Sequence, residues 1–491
     1  DDRFRTRQHR HQLGTRRTQL MKQRPINLRH PRPRPRRGAI IVIVIWAVAI
    51  AAVIVGAAQV LAFRQAAMGR EAIAKVEARW AARAGIEETI AVLEYHTEEP
   101  DPTDARQMFK DLEKCADGEL ASGSWEIRHT EDGVEIPGPQ DEHAKINVNG
   151  ANRLVLLELA NMTMDVADGI VDWRDNDSNP GLMGAERDFY VNRDAGYVPR
   201  DAPFRSIAEL ELVAGAFPSS VRGEDANLNG RLDPNENDGA LSEPQDDGDG
   251  MLDAGWSAAL TARSTVSLIG ASGEPKINLK KATAEEMQER LGVNAQQAAA
   301  LTQFAKGPSA KLEMLLTQDL GSLSSGGRNG SQSQGQNSRQ PTGRQSGRSS
   351  SGAQQGQNSR VQSLDSQQLR KIFQEATLDT PGAYVPGKLN LNTAPPSVLR
   401  ALLPDDPISA DAIVSQRSAS SSGLLAISDL LGSSRITPQA LAAIAPYADT
   451  QSYVFTITSR GRAMTTGIEV EITAVVDRST LPARILEYRE Q

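Results

Sequence analysis

The sequence predicts an α+β fold, in which a long N-terminal helix packs on a small antiparallel sheet and a large, mostly helical insertion separates the strands of that sheet. Three observations indicate this fold. A long apolar run continues into a helical pattern, short alternating segments stand near residues 125 and 455, and the region between them has mostly helical patterns. With 491 residues, the chain is long enough for two or three domains.

The apolar run extends from Ala39 to Phe63, which is 25 residues without a charge. At about 1.5 Å rise per residue, a helix of this length crosses a hydrocarbon core of roughly 30 Å. Residues 1–37 carry thirteen Lys and Arg against two Asp, a net of +11, so the rest must carry about −19 to give the overall −8. Because basic flanks stay on the cytoplasmic side, we expect a cytoplasmic N-terminus, a membrane span at 39–63 and the remainder across the membrane.

Two other interpretations of the run are a buried core helix and a secretory signal peptide. A 25-residue uncharged run is too long for most cores, and a signal peptide normally has a shorter apolar stretch that ends in a small-residue cleavage site. Here an amphipathic stalk helix, 64–97, follows directly. Its apolar residues at helical spacing are Ile73, Val76, Trp80, Ala84, Ile90 and Leu93.

Strand patterns flank the insertion, at 98–144 and at 451–491. WEIRH and VEI lie on either side of Glu131-Asp132-Gly133, which is a hairpin signal. Near the C-terminus, YVFTITSRGR and GIEVEITAVVDR alternate in the same way. We expect these two regions to pair into one antiparallel sheet on the stalk helix.

One phrase occurs three times, as KINVNGA at 145–151, KINLKKA at 276–282 and KLNLNTA at 388–394. A helical pattern follows each copy, so the phrase predicts a short extended opening, an Asn or Thr helix cap and a helix over its two apolar residues. The copies define helical units at 145–275, 276–321 and 364–450. Residues 322–363 are almost entirely Gly, Ser, Gln, Asn and Arg and are predicted to be disordered.

The phrase also resembles the opening of DNA-binding helix-hairpin-helix domains. Those domains need a glycine-rich turn whose amides contact phosphate. After Leu403 this chain has Pro404-Asp405-Asp406-Pro407, and the turn of the second unit has Gly292 alone. Since the extramembrane part is also acidic, we expect no nucleic-acid partner.

An acidic segment of the first unit predicts a calcium site. Calcium needs six to eight oxygen ligands, and the EF-hand loop supplies them from positions 1, 3, 5, 7, 9 and 12 with Gly at position 6. The segment that begins at Asp225 has Gly230 at position 6. The predicted ligands are Asp225, Asn227, Asn229, Arg231 through its carbonyl, Asp233 and Glu236, with a weaker partial copy at Asp247, Asp249 and Asp253.

The sequence predicts no enzyme and no intrachain disulfide. It contains no HExxH, GxSxG or phosphate-loop motif, and after the leader its histidines are scattered. Cys115 is the only cysteine. Metal ions would therefore have to stabilise the irregular loops in place of disulfide bonds.

Arg36-Arg37-Gly38-Ala39 resembles the processing site of prepilins, the precursors of type IV pilin-like proteins. The resemblance implies a basic leader at 1–38 with a true start possibly at Met21, cleavage by a prepilin peptidase after Gly38, and methylation of Ala39. Most pilins have Glu at the fifth mature position, where this chain has Ile43. That departure is typical of the K-type minor pseudopilin of type II secretion systems.

The segment ADGIVDWRDND at 167–177, followed by GAERDFY at 184–190, resembles a loop of the same family. The resemblance implies calcium ligands at Asp175, Asn176, Asp177, Glu186 and Asp188, and sterile-alpha-motif-like helical units. Two departures from the family pattern are that the phrase occurs three times, with a degenerate middle copy at 276–282, and that the Gly/Ser/Gln-rich insert has no counterpart.

The resemblance implies a pilin-like fold and a minor pseudopilin that caps the pseudopilus and takes part in export across the outer membrane. Implied partners are the I- and J-type minor pseudopilins, the major pseudopilin, the prepilin peptidase and the membrane. The implied location is the inner membrane, with most of the chain in the periplasm, and the pseudopilus after assembly. Alternatives are a calcium-dependent pilus-tip adhesin or binding module and, more weakly, a helix-hairpin-helix DNA-uptake protein.

Overall fold

A computed structural model describes residues 37–193, 195–325, 361–379 and 384–490. The predicted leader up to residue 36 and most of the predicted disordered segment lie outside the described residues. The chain divides into two compact units, 1–68 and 69–491.

The α-helices are α1 (Arg37–Glu98), α2 (Gln107–Lys114), α3 (Arg153–Leu157), α4 (Met164–Arg174), α5 (Arg187–Asn192), α6 (Pro218–Arg222), α7 (Gly255–Ala259), α8 (Ala284–Leu291), α9 (Ala295–Ala305), α10 (Met314–Thr317), α11 (Leu320–Ser325), α12 (Ser366–Glu375), α13 (Pro396–Leu402), α14 (Pro407–Ala419) and α15 (Pro438–Ile444). Short 3-10 helices cover Glu142–Ala144, Ile207–Leu212, Pro234–Glu236 and Ile427–Leu430. The strands are β1 (Asp117–Leu120), β2 (Gly123–Glu131), β3 (Val134–Pro137), β4 (Gln140–Asp141), β5 (Ile146–Asn147), β6 (Leu260–Thr261), β7 (Ile277–Asn278), β8 (Ala376–Thr377), β9 (Leu389–Asn390), β10 (Ala448–Asp449), β11 (Val454–Ala463), β12 (Glu469–Asp477) and β13 (Arg484–Glu490).

One described helix, the stretch Ile40–Glu98 of α1, is long and apolar enough to cross a membrane. Its most apolar window is not buried within the protein. Gly38 and Ala39, the predicted processing site, lie in the first turn of α1. This helix agrees with the single span predicted for 39–63.

The strands from both sides of the insertion form one antiparallel sheet, which confirms the predicted fold class. Its order is β1-β2-β11-β12-β13, with β3 pairing with β2 and β4 pairing with β11. In the β2–β3 hairpin, Asp132 and Gly133 have φ of 46° and 78°, as a two-residue turn with two left-handed positions requires.

The stalk part of α1 packs on this sheet, but only the C-terminal part of the predicted apolar stripe, which is Ala84, Ile90 and Leu93, faces the core there. Ile73, Val76 and Trp80 are exposed, whereas Ala74, Ala78 and Ala82 are fully buried. A Cβ at Gly461 of β11 would collide with the backbone of Ala78 and Ala82. The prediction was wrong for Ile73, Val76 and Trp80, because this close approach of helix and strand selects small residues at this level of the helix.

Each copy of the repeated phrase opens a helical unit that a two-residue parallel bridge closes. Strand β5 pairs with β6, β7 with β8, and β9 with β10. The bridges delimit a first unit at 145–261, a second at 276–377 and a third at 388–449. The two apolar residues of each phrase lie under the unit as predicted; they are Ile146, Val148, Ile277, Leu279, Leu389 and Leu391.

The asparagine at the third position of the phrase makes the same contacts in each unit. Its side-chain oxygen accepts the N–H two residues later, at 2.8 Å in Asn147, 3.0 Å in Asn278 and 2.8 Å in Asn390. Its amide donates to the segment after the closing strand: to Ser264 O at 2.6 Å, Asp379 O at 2.7 Å and Ser452 Oγ at 2.8 Å. The asparagine therefore ties the opening of each unit to its end.

The predicted helix caps are present in two units. Asn152 and Thr283 accept from the first turns of α3 and α8. In the third unit Thr393 does not cap α13, because its hydroxyl donates to Asp141 Oδ2 at 2.6 Å and Pro396 begins the helix. That threonine instead joins the third unit to β4.

The second unit extends further along the chain than predicted. Leu369 and Ile372 of α12 belong to its apolar core together with Ile277 and Leu301. Residues 364–377 therefore close the second unit and do not open the third, because the polar insert interrupts the sequence but not the packing. Residues 322–325, at the start of the predicted disordered segment, belong to α11.

Candidate functional site

The acidic loops are insertions in the first unit, as a comparison with the third unit shows. Arg174 donates to the carbonyls of Val148 and Ala151, and Arg417 donates to the equivalent carbonyls of Leu391 and Ala394. The asparagine at the fifth position of the phrase also makes the same hydrogen bonds in both units. Asn149 pairs with the backbone of Phe204, and Asn392 with that of Leu424.

These shared contacts place residues 175–203 of the first unit opposite only 418–423 of the third. A second extension lies between the 3-10 helix at Ile207–Leu212 and α7. The shorter connection in the third unit runs from Ile427–Leu430 to α15. Both predicted calcium segments therefore belong to additions that the scaffold does not need for its own closure.

The first acidic site lies between the end of α4 and the start of α5. Asp175, Asp177 and Glu186 each place a carboxylate oxygen within 4.8 Å of the others. Asp188, which the resemblance also implied, does not belong to this group of carboxylates. Asn176 lies between Asp175 and Asp177 in the sequence and stays a predicted ligand. Asp172, which sequence reasoning missed, lies buried beneath it and accepts the N–H of Gly181 at 3.0 Å.

The electrostatics of this site fit a cation. Oε1 of buried Glu186 has no hydrogen-bond partner. Burial raises the pKa of Glu186, and the charges of Asp172 and Asp175 raise it further. Burial also raises the pKa of Asp175, assisted by repulsion from Asp177. Closely placed carboxylates with an unpaired oxygen match the hard oxygen donors that calcium prefers.

The loop Asp225 to Glu236 has the hydrogen-bond arrangement of a preformed turn. Asp225 accepts the N–H groups of Asn229 and Gly230, each at 3.0 Å. Gly230 has φ of 70°, which explains the need for glycine at position 6. Glu236 reaches back to accept the N–H groups of Ala226 and Asp233, each at 3.0 Å. Loop positions 1 and 12 thus face the same interior.

This loop is buried, and burial raises the pKa of two of its carboxyl groups. The side chains of Asp225, Asn229 and Glu236 are almost inaccessible to solvent. Burial, with the charges of Asp225 and Asp233, raises the pKa of Glu236 to about 7. Burial also raises the pKa of Asp225. Within the described residues, Asp225, Asp233 and Glu236 do not form a group of carboxylate oxygens within 4.8 Å of one another. Each of their oxygens already accepts a hydrogen bond.

Two members of the predicted set are engaged elsewhere. Asp233 accepts from Arg460 at 2.8 Å through Oδ1, and from the amides of Asn227 and Asn229 at 2.9 and 3.0 Å through Oδ2. The side chain of Arg231 is directed to Glu126 of β2, at 2.7 Å. Arg231 could therefore serve the loop only through its backbone carbonyl, as predicted.

The weaker partial copy forms local turns on the surface. Asp247, Asp249 and Asp253 are exposed, and each accepts an N–H two residues later, at 3.1, 2.7 and 3.1 Å. The structure does not bring these carboxylates into the group formed by Asp175, Asp177 and Glu186.

The hairpin turn of the third unit does not have the form that DNA binding needs. Asp406 caps α14 by accepting the N–H of Ser409 at 3.0 Å. A carboxylate therefore occupies the helix N-terminus at which a phosphate would bind. This arrangement argues against the DNA-uptake alternative.

Comparisons with known proteins match two parts of the chain. Residues 140–223 match the family model T2SSK_1st, and residues 389–450 match the model T2SSK, both described as type II secretion system (T2SS), protein K. No curated protein matches the chain. Among solved structures, the chain is similar to the crystal structure of the GspK-GspI-GspJ complex from the type 2 secretion system of enterotoxigenic Escherichia coli. That match has 11% identity and a TM-score of 0.44, and it covers 86% of this chain and 99% of that chain.

Proposed function

We propose that this chain, which belongs to the type II secretion system protein K family, is a minor pseudopilin that caps the tip of the pseudopilus. The observation that carries the capping role is the position of the insertion. It leaves the sheet at β4 and returns at β11, where Asp141 pairs with Phe455. Arg478 joins this point to the end of α1 by donating to Ser452 O at 3.0 Å and to His96 O at 2.7 Å. Three helical units at the end of the stalk would block the place of another subunit there.

The exposed stripe of α1 supports binding of neighbouring subunits. Ile73, Val76 and Trp80 face away from the sheet, and contiguous exposed apolar side chains mark interaction surfaces. We propose that the I- and J-type minor pseudopilins pack against this stripe. The major pseudopilin would follow below the tip.

The same proposal includes processing and location. A prepilin peptidase would cut after Gly38, and Ala39 would be methylated. The apolar part of α1 would anchor the chain in the inner membrane, with its N-terminus cytoplasmic and its sheet and helical units periplasmic. N-terminal sequencing of the membrane form tests this step: methylated Ala39 is the expected terminus, and cleavage beyond Phe63 would overturn it.

Calcium is the proposed cofactor. Asp175, Asp177 and Glu186 would hold one ion, and Asp225, Asn227, Asn229, Asp233 and Glu236 a second. Bound calcium would supply positive charge to carboxylates that burial leaves repelling one another. The ions would thus stabilise the two insertions of the first unit, in a chain with one cysteine.

Co-purification with the I- and J-type minor pseudopilins tests the proposed assembly. Trp80→Glu should remove most of the captured partner, because it places a charge within the exposed stripe. Met464→Glu is the matched control, since Met464 is equally exposed but lies in the turn between β11 and β12. Equal capture by both variants would show that the stripe is not the subunit interface.

A further inference from the structure

The last strand of the sheet, β13, has an outer edge to which no other strand pairs within the described residues. It covers Arg484–Glu490, whereas β1 at the opposite end of the sheet covers only Asp117–Leu120. The apolar side chains of Ile485, Leu486 and Tyr488 are each about half exposed. Edge strands of soluble proteins are usually short, charged or covered, because their free N–H and C=O groups can pair with another chain. Of the two ends of the sheet, the β13 edge is therefore the one suited to a further strand.

Two contacts with α1 fix the ends of β13 beside the stalk. Before the strand, Ala483 N donates to Glu94 Oε1 at 2.8 Å, and at its end Arg79 Nε donates to Glu490 Oε1 at 2.6 Å. The strand is thus antiparallel to the helix, since its last residue lies beside the earlier helix position. The open edge therefore has a fixed direction relative to the stalk.

The register with β12 shows which way the apolar side chains point. Tyr488 stands opposite Ala474 and Ile485 opposite Val476, and both β12 residues lie in the core against α1. Opposite residues share a face of the sheet, so Tyr488 and Ile485 lie on the α1 face, beyond the cover that the helix provides. Leu486 has no opposite residue in β12, because it occupies a β-bulge. This edge therefore carries apolar surface that the described part of the chain does not bury.

The strand also carries positive charge without acidic partners. Its two glutamates pair with arginines elsewhere in the chain. Arg489 Nε is buried without a hydrogen-bond partner, and its Nη2 reaches Leu228 O only at 3.4 Å. Arg484 is exposed and forms no ion pair among the described residues. An occupant of this edge would thus gain from acidic side chains.

A second copy of this chain does not fit the edge. Antiparallel pairing of two β13 strands about a two-fold axis would reverse one stalk, whereas copies anchored through α1 in one membrane have stalks that point the same way. Parallel pairing in register would place each charged residue beside its own copy, which destabilises a sheet. The strand β12, which pairs with the inner edge of β13, shows the composition that fits. Its residues Glu469–Asp477 combine three acidic side chains with mostly apolar ones.

We propose that the outer edge of β13 binds an extended, acidic and apolar segment of another protein as an added strand. The backbone of that segment would pair with the outward N–H and C=O groups of β13. Its acidic side chains would neutralise Arg484 and Arg489, and its apolar side chains would cover those of the strand. This surface uses none of the residues of the exposed α1 stripe, so binding at the two places can be tested separately.

The test is binding of a fluorescently labelled peptide, EVEITAVVD, to the full chain in detergent, measured by fluorescence anisotropy. This probe has the sequence of β12, which already pairs with the inner edge of β13. Leu486→Lys should weaken binding at least about tenfold, since lysine on an edge strand opposes pairing. The change leaves the contacts with β12 intact, because Leu486 has no opposite residue there. Replacing both Arg484 and Arg489 by Gln should weaken binding severalfold and reduce its dependence on salt.

Leu120→Lys is the matched control, since it makes the same change in β1 at the other end of the sheet. It should change binding less than about twofold. A peptide with lysine in place of the three acidic residues should bind at least about tenfold more weakly. The proposal is wrong if the parent chain does not bind EVEITAVVD, if it binds both peptides equally, or if neither Leu486→Lys nor the double arginine variant weakens binding. It is also wrong if sedimentation shows a dimer that Leu486→Lys converts to a monomer, because the occupant is then a second copy.

Discussion

The first and third helical units use one scaffold for different purposes. In both, a parallel bridge closes the unit, a buried asparagine ties its ends, and an arginine donates to two carbonyls of the opening phrase. The first unit carries two long acidic additions, whereas the third has short connections in their place. The comparison separates the residues that close a unit from those that would hold a metal.

The second unit shows what happens when part of the scaffold is missing. It retains Asn278 and its bridge, but Lys280 stands where Asn149 and Asn392 bind the backbone. The first and third units share one apolar core, and the second has a core of its own. The two family models likewise match within the first and third units. An asparagine that binds the backbone from the fifth position of the phrase therefore occurs in the two units that share a core.

The largest expected effect comes from the arginines that hold the opening phrase. Arg417→Ala and Arg174→Ala should each lower the free energy of unfolding by about 3 kcal/mol, since each removes two charged hydrogen bonds to carbonyls. Urea unfolding of the chelator-treated full chain in detergent would measure both. Arg400→Ala should cost less than about 1 kcal/mol, because its ion pair with Asp411 is exposed. If only one of Arg174→Ala and Arg417→Ala lowered the free energy of unfolding strongly, the two units would not share an equivalent scaffold.

The pH dependence of stability should distinguish the acidic loop from the third unit. The folded-state pKa of Glu236 is raised from 4.5 to about 7, so the metal-free folded state keeps a proton that the unfolded state has lost. Stability should therefore fall by at most roughly 3 kcal/mol as pH rises from 4.5 to about 7. Glu236→Gln should remove this part of the slope in chelator-treated protein. An unchanged difference between variant and parent at pH 5 and pH 8 would contradict it.

The loss of stability on replacing the third-position asparagines of the phrase should increase with their burial. Asn147→Ala and Asn390→Ala should each cost about 2 kcal/mol, because each leaves buried polar partners unpaired. Asn278 is only partly buried, so Asn278→Ala should cost about 1 kcal/mol. Thermal unfolding of the three variants measures the ranking. Asn235→Ala serves as control, since its one bond is long and exposed.

The smallest expected effect is at Lys280. Lys280→Asn restores the residue type of the other two units, but the side chain is exposed, so we expect a change within about 0.5 kcal/mol. Stabilisation by more than about 1 kcal/mol would show that the second unit keeps a backbone partner for this amide. Thermal unfolding under the conditions used for the asparagine series is sufficient.

The fold was predictable where a pattern reports backbone geometry. The alternating segments identified β2, β3, β11 and β12, and the uncharged run identified the apolar part of α1. The N-terminal half of the stalk face was predicted wrongly, because apolar periodicity ranks large side chains first, whereas Leu93 does face the core as predicted. Ala78 and Ala82 face the sheet since Gly461 brings the two backbones close together.

In the candidate sites, only the residues that lie close together in the sequence were predictable. The spacing of Asp225, Gly230 and Glu236 identified a turn that the structure contains. Arg460 and Glu471 could not be found in this way, because more than 220 residues separate them from the loop and only the sheet brings them to it. The repeated phrase likewise predicted a helix opening, but not the parallel bridge, whose partner strand carries no matching motif.

The bridges have a consequence for how such a chain can change over evolutionary time. Because each unit begins and ends on neighbouring strands, a unit with a core of its own, such as the second, can be gained, lost or duplicated without moving what lies before or after it. The same is true of the whole insertion, whose two ends are paired as β4 and β11. Three successive copies of one phrase are the expected record of tandem duplication at such a point. A gene that encodes this architecture can thus enlarge the insertion while the helix and sheet that carry it stay as they were.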